Sequence, residues 1–329
     1  MGDIPSLSAP RALLRDPQVR REWEGKLSTW RTVDRRAVHK AAVAEVLITD
    51  VAPIDPALSV AAAQWAGGHP TFRPATNGRP HPLLFVETVR QAAIYLAHQE
   101  YGVPPGSHFI FERITASFPE AEPWGPSTEP VSVLVAVRTN LHRVGGRVAG
   151  AYIESEAWSM NRRIATCQAS YRCLGARAYA RIRRAGRSTL RAGPTPDIPA
   201  PRHRSARRAD GPAGESVSTL EFDPHHPTYF DHPVDHLPGM LLLNAAVEAG
   251  MRRLRHPAVD RLEQLDMSFD RFAELDRAVS IVSRPAPSSV GGDSLAVAVE
   301  QEGAVVAQAA LRFTRSTAPR VSRRPGSAR

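Results

Sequence analysis

Two stretches of this 329-residue chain set proton-carrying side chains at the mouth of an apolar run. Residues 231–250 read Asp-His-Pro-Val-Asp-His-Leu-Pro-Gly-Met-Leu-Leu-Leu-Asn-Ala-Ala-Val-Glu-Ala-Gly. Residues 81–93 read His-Pro-Leu-Leu-Phe-Val-Glu-Thr-Val-Arg-Gln-Ala-Ala. In each, proline opens a helix whose first amides have no partner within the helix. An imidazole ahead of such a start can move a proton near neutral pH. The free amides, aided by the helix dipole, can hold a carbonyl oxygen as it gains charge.

In the first copy Glu87 is a carboxylate in an otherwise apolar helix. Burying it unpaired costs several kcal/mol or raises its pKa. The chemical reading is a general acid/base, or an acceptor for a substrate hydroxyl. The structural alternative is an ion pair with Arg90, three residues on. Gln91, four residues on, either orients Glu87 or serves as a satisfied core amide. In the second copy His232 and His236 flank Asp235, and His232 is the candidate for catalysis or thioester contact. His81 and His69 are weaker candidates, with loop hydrogen bonding as the alternative. Gly239 would leave its amide open to a thioester carbonyl, or simply allow close helix packing. Asn244 occupies the place of a second acid. Asp223, His225, His226 and Asp231 lie nearby, but no spacing matches a metal site. We therefore expect no metal and no cofactor.

The elements around these residues repeat. Val38–Val51 has strand character, and Pro53–Pro80 reads as a long irregular loop. A helix is expected from Pro82 to about Glu100, apolar nearly all round and hence buried. Strands follow at His108–Phe118, Val131–Leu141, Arg147–Trp158 and Arg162–Leu174, the middle pair a hairpin at Gly145-Gly146. The order restarts with a strand at Ser216–Phe222, a loop, and the helix Gly239–Leu254. Later strands fit Gln264–Phe269, Ala278–Arg284, Ser294–Glu300 and Ala304–Thr314. His69-Pro70-Thr71-Phe72 is echoed by His226-Pro227-Thr228-Tyr229. Duplication in this order predicts a tandem hot-dog fold of the α+β class, each repeat a curved antiparallel sheet around one helix. The expected units are an N-terminal arm (1–37), a first repeat (38–176), an Arg/Pro-rich linker (177–215), a second repeat (216–314) and a basic disordered tail (315–329). In the arm, Trp23 and Trp30 are spaced for one helical side. Two such repeats can pair within one chain, so a pseudo-dimeric monomer or a homodimer is expected.

The net charge of +9 is unevenly placed. Residues 177–217 hold ten arginines against Asp197, Asp210 and Glu215, and residues 315–329 hold five arginines and no acid. The rest of the chain is therefore net acidic, which argues against a folded nucleic-acid face. No stretch reaches the roughly 18 apolar residues of a membrane helix, and Met1–Arg36 holds no secretion-signal core. Cys167 and Cys173 would lie about 20 Å apart on one strand, too far to bridge. A reduced cytoplasmic protein is the expectation.

The pattern resembles the A-factor biosynthesis (AfsA-type) hot-dog proteins. His39 with Glu45-Val46-Leu47-Ile48-Thr49-Asp50, Pro82-Leu83-Leu84 with Glu87, Arg90 and Gln91, and Asp231-His232-Pro233 with Asp235-His236 and Pro238-Gly239-Met240 carry the resemblance. It implies an acyltransferase of γ-butyrolactone signal biosynthesis. Such an enzyme moves a β-ketoacyl group from acyl carrier protein, or from an acyl-CoA thioester, to dihydroxyacetone phosphate. Glu87 and His232 would be catalytic, and Arg90, Gln91, His81, His236, Gly239 and Asn244 would bind substrate. Where that family more usually reads Glu-Ala-Ala-Arg-Gln, the second helix here reads Asn244-Ala245-Ala246-Val247-Glu248. This departure motivates two alternatives: a degenerate paralogue that binds an acyl or butyrolactone ligand, and a dehydratase- or thioesterase-like enzyme.

Overall fold

Pro82 and Gly239 each begin a buried helix, and a sheet curves around both. The computed structural model describes residues 10–74, 78–119, 129–189, 209–210, 214–254, 262–287 and 292–314. In chain order the helices are α1 (Pro17–Lys26), α2 (Pro82–Gln99), α3 (Ala176–Thr189) and α4 (Gly239–Leu254). The first-repeat strands are β1 (Ile48–Asp55), β2 (Leu58–Trp65), β3 (His108–Ser117), β4 (Val131–Val144), β5 (Arg147–Ser159) and β6 (Arg162–Leu174). The second repeat supplies β7 (Ala209–Asp210), β8 (Ser216–Thr219), β9 (Leu262–Phe269), β10 (Val279–Pro285), β11 (Asp293–Gln301) and β12 (Ala304–Phe313).

All strands form one sheet in the order β1-β2-β4-β5-β6-β3-β9-β12-β11-β10-β8-β7, with antiparallel neighbours. The two halves mirror each other about the β3–β9 pair, where Thr115 faces Asp266. The tandem hot dog predicted from element order is thus observed. A second junction lies on the same pseudo-two-fold axis: the Thr71 and Thr228 hydroxyls are 2.7 Å apart. The sequence echo around them is a repeated turn. His69 Nδ1 accepts from the Thr71 and Phe72 amides, and His226 Nδ1 accepts from those of Thr228 and Tyr229.

One apolar core runs through both halves, joining Leu83 and Phe85 of α2 to Leu243 of α4, Met267 of β9 and Phe313 of β12. Both faces of β2 are covered, α2 packing on one and the amino-terminal segment on the other. Leu14 and Leu27 pack against Val60, Ala62, Leu134 and Ala136 in a separate cluster. Buried Arg20 sits 4.4 Å above the Trp158 ring and donates to the Arg15 carbonyl at 3.0 Å and the Asn161 side chain at 3.2 Å.

Several local expectations need correction. Val38–Val51 is not a single strand: Arg35–Val38 and Val43–Glu45 are 3-10 turns, and β1 starts at Ile48. The loop expected over Pro53–Pro80 contains the end of β1 and all of β2. Trp23 lies in α1, whereas Trp30 lies beyond it and is 96% exposed. The linker does not start at 177, because Ala176–Thr189 is helix α3. Its continuation over 190–208, the first nine residues and the tail 315–329 lie outside the described residues. Cys167 and Cys173 are free thiols, as expected. Among the described residues no helix is long and apolar enough to cross a membrane.

Candidate functional site

Between the two repeats lies a cavity of about 1160 Å³. Its wall takes Lys40, Glu87 and Arg90 from the first half and Asp231, His232, His236 and Gly239 from the second. Ile94, Phe109, Phe111, Ile114, Leu242 and Val306 give it an apolar side.

Glu87 is 4% exposed and fully engaged. Arg90 grips it with two hydrogen bonds of 2.8 and 2.7 Å, Gln91 donates at 2.8 Å, and Lys40 Nζ lies 3.2 Å away. Burial by itself would raise the pKa of this carboxyl. The Arg90 and Lys40 charges and the hydrogen bonds from Arg90 and Gln91 outweigh it, holding Glu87 well below its ordinary value. Gln91 also donates to the Glu45 carbonyl and accepts from the Leu47 amide, both at 2.8 Å. It ties α2 to the start of β1 and is not part of the cavity lining. The sequence reading passed over Lys40. Its one visible signal was rarity, since Lys26 is the only other lysine.

Across the cavity Asp231 carries His232. Asp231 Oδ1 meets His232 Nδ1 at 2.5 Å, and Oδ2 accepts from the Ala41 amide at 3.0 Å. The Asp231 side chain is 1% exposed and that of His232 43%. Burial would raise the Asp231 pKa, but the His232 bond, the Lys40 charge and the Ala41 amide lower it. Asp231 therefore stays ionised and fixes the His232 proton on Nδ1. In the neutral ring this leaves Nε2 with the lone pair.

A second dyad follows four residues on. His236 Nδ1 is 2.8 Å from Asp235 Oδ1, which also accepts from the Tyr179 hydroxyl at 2.6 Å. Arg183 donates to Asp235 Oδ2 at 2.9 Å and to both oxygens of Glu274, at 2.8 and 2.7 Å. Burial lowers the His236 pKa despite the pull of Asp235. Tyr179 and Arg183 belong to α3, so a segment read as linker forms part of the cavity wall. With Tyr179 and Ile182 as its few large apolar residues, α3 gave little periodic signal.

The two helix entrances differ. At α2 the His81 side chain accepts from the Leu83 amide at 3.2 Å, closing that end. At α4 the Gly239 and Met240 amides have no acceptor among the described residues, and Gly239 lines the cavity. Asn244 donates to Glu248 at 2.9 Å and is not in the lining. The structure thus brings Glu87, Arg90, His232, His236 and Gly239 to one cavity, and leaves His81, Gln91 and Asn244 outside its wall. His69 lies outside too, spent on its turn. Among the described residues no group of three or more His, Cys, Asp and Glu could hold a metal ion.

His81 carries a pH prediction. Burial pushes its pKa from 6.5 down to about 4. The unfolded ring protonates near 6.5 and the folded one resists, so stability falls as pH falls from 6.5 toward 4. Asparagine caps a helix without titrating. We expect His81→Asn to remove about 2–3 kcal/mol of that acid-induced loss, measured by denaturant unfolding at pH 7 and pH 4.5. Equal losses in the two proteins would contradict this.

The pattern of the A-factor biosynthesis hotdog domain matches residues 23–175 and 206–316. The chain belongs to that family. A 2-oxo-3-(phosphooxy)propyl 3-oxoalkanoate synthase of Streptomyces virginiae is 35% identical over 273 residues, 80% of this chain and 90% of that protein. A protein of the same name from Streptomyces coelicolor is 32% identical over 247 residues, 72% of this chain and 77% of its own. Among solved structures, an acyl-ACP thioesterase from Bacteroides thetaiotaomicron superposes with a TM-score of 0.50 at 14% identity, over 77% of this chain and 97% of that one. That likeness concerns the double hot-dog fold alone. In this A-factor family chain, the matched segments include every residue of the Glu87 and His232 clusters and stop short of α3.

Proposed function

We propose that the chain joins a 3-oxoacyl group, delivered as a thioester, to the free hydroxyl of dihydroxyacetone phosphate. The names of the curated relatives describe that ester: 2-oxo-3-(phosphooxy)propyl is this triose phosphate without its free hydroxyl group, joined to the 3-oxoalkanoate through the ester oxygen. The observation that carries the reading is one cavity holding a cationic cluster from one repeat and a carboxylate-held imidazole from the other.

In this reading His232 Nε2 takes the proton of the acceptor hydroxyl as its oxygen attacks the thioester carbonyl. The Gly239 and Met240 amides hold the carbonyl oxygen while it carries charge. That attack forms the ester C–O bond; collapse then restores the carbonyl and breaks the C–S bond, and the proton on His232 passes to the departing thiolate. Lys40 and Arg90 face the triose phosphate, the guanidinium by paired hydrogen bonds. The acyl chain lies along Ile94, Phe109 and Phe111. Glu87, already ionised and held by two cations, acts as a positioning residue for them. A dehydratase would need a proton-shuttling acid at the α4 entrance, where Asn244 is bonded to Glu248 instead.

The test is incubation of the purified full chain with a 3-oxoacyl thioester and dihydroxyacetone phosphate, followed by mass spectrometry. We expect an ester that requires both substrates. Free 3-oxo acid formed equally without the triose would point to a thioesterase, and thermal stabilisation by the thioester without turnover would point to a ligand-binding paralogue.

A further inference from the structure

Helix α3 reads Ala-Arg-Ala-Tyr-Ala-Arg-Ile-Arg-Arg-Ala-Gly-Arg-Ser-Thr, five arginines and no carboxylate. Its inward side is fixed by Tyr179 and Arg183, as described above. Arg177, Arg181 and Arg184 recur at i, i+4 and i+7, forming one stripe on the opposite side of the helix. All three are exposed, and none has an ion-pair partner among the described residues. Like charges at i and i+4 weaken a helix, so the stripe brings no charge-pairing energy to the fold. Between stripe and inward side, Ile182 and Ala185 line the cavity. An unpaired cationic face therefore stands at the cavity rim. The segment 176–205 falls between the two family-matched stretches.

We propose that the Arg177–Arg181–Arg184 stripe docks an acidic carrier protein, setting the arm that bears its thioester at the Ile182–Ala185 edge of the cavity. The proposal rests on the reading that this cavity takes an acyl thioester. Seven residues of helix span about 10 Å, a length that fits one acidic helix. Opposed potentials of this kind speed encounter and fix orientation without burying much surface.

Steady-state kinetics with one 3-oxoacyl group on two donors test the idea: an acidic acyl carrier protein, and the uncharged pantetheine thioester. In Arg177→Glu/Arg181→Glu/Arg184→Glu we expect the carrier KM to rise by about tenfold or more, while kcat and the pantetheine kinetics stay at the wild-type level. The triple Gln variant should fall between the two proteins, and the wild-type carrier KM should climb with added salt. An unchanged carrier KM, or equal loss with both donors, overturns the proposal. Loss of binding to a short DNA duplex with unchanged carrier KM would assign the stripe to nucleic acid, which also overturns it. If neither donor turns over in the wild type, the functional reading fails by itself. Fluorescence anisotropy with labelled unloaded carrier protein then decides docking, the proposal requiring weaker binding by the triple Glu variant.

Discussion

Replacing His232 with alanine lowers kcat for ester formation about a hundred- to ten-thousandfold, with KM for both substrates moving only a few-fold. Three features lead there. The ring projects into the cavity, its Nδ1 side is tied to Asp231, and Asp231 is itself anchored by the Ala41 amide. The tautomer is thereby set before substrate arrives, and the free Nε2 meets the alcohol as a base. The fold should survive, because the His232 side chain is 43% exposed and gives up one hydrogen bond. Asp231→Asn should lower kcat as well, since an amide can donate to Nδ1 and force the proton to Nε2. A His232→Ala protein with unchanged melting temperature and kcat within about threefold of wild type would remove the imidazole from the mechanism. Equal loss in KM and kcat would instead assign it to binding.

What could be read without coordinates follows the range of the interactions. α2 and α4 were plain because proline fixes their starts and apolar residues surround their axes, both local properties. The duplication was plain because each repeat carries its own copy of the His-capped turn. β2 was hidden: Ala61-Ala62-Ala63 has no β-branched signal and sits in Pro/Gly-rich surroundings. Val38, Val43 and Val46 suggested a strand, yet Asp34 caps a 3-10 turn and His39 ends it with φ near 54°. The site itself was half legible. Glu87–Arg90 is a helix-spacing pair, and Asp231–His232 are adjacent. Lys40 on Glu87 and Ala41 on Asp231 span 47 and 190 residues of sequence; the first pair needs the Arg35–Val38 turn to pack on α2, and the second needs the two repeats to meet at β3–β9 and Thr71–Thr228.

Glu87→Ala is expected to cost about 3–5 kcal/mol of stability, the loss found when one member of a buried ion cluster is removed. Lys40 and Arg90 would remain in the cavity wall without their shared anion, and Gln91 would lose an acceptor. At roughly 2–4 °C per kcal/mol, the melting temperature should drop by about 10 °C. A catalytic base predicts something else: Glu87→Gln would abolish kcat with fold and KM intact. A carboxylate already held ionised by two cations is a weak proton acceptor, so in Glu87→Gln we expect the KM for the triose phosphate to rise more than kcat falls. Acid sensitivity gives an independent reading. Because the folded pKa of Glu87 lies below 4.5, its contribution is present above that pH and is lost as pH falls below it. Glu87→Gln should therefore lose less stability than wild type on acidification below 4.5. The double variant Glu87→Leu/Arg90→Leu separates the two roles most sharply. Removing both ions relieves the uncompensated guanidinium but leaves Lys40 without Glu87, so it should recover only part of the stability lost in Glu87→Ala. It cannot recover a phosphate contact, so KM for the triose phosphate should stay high in a protein that folds well.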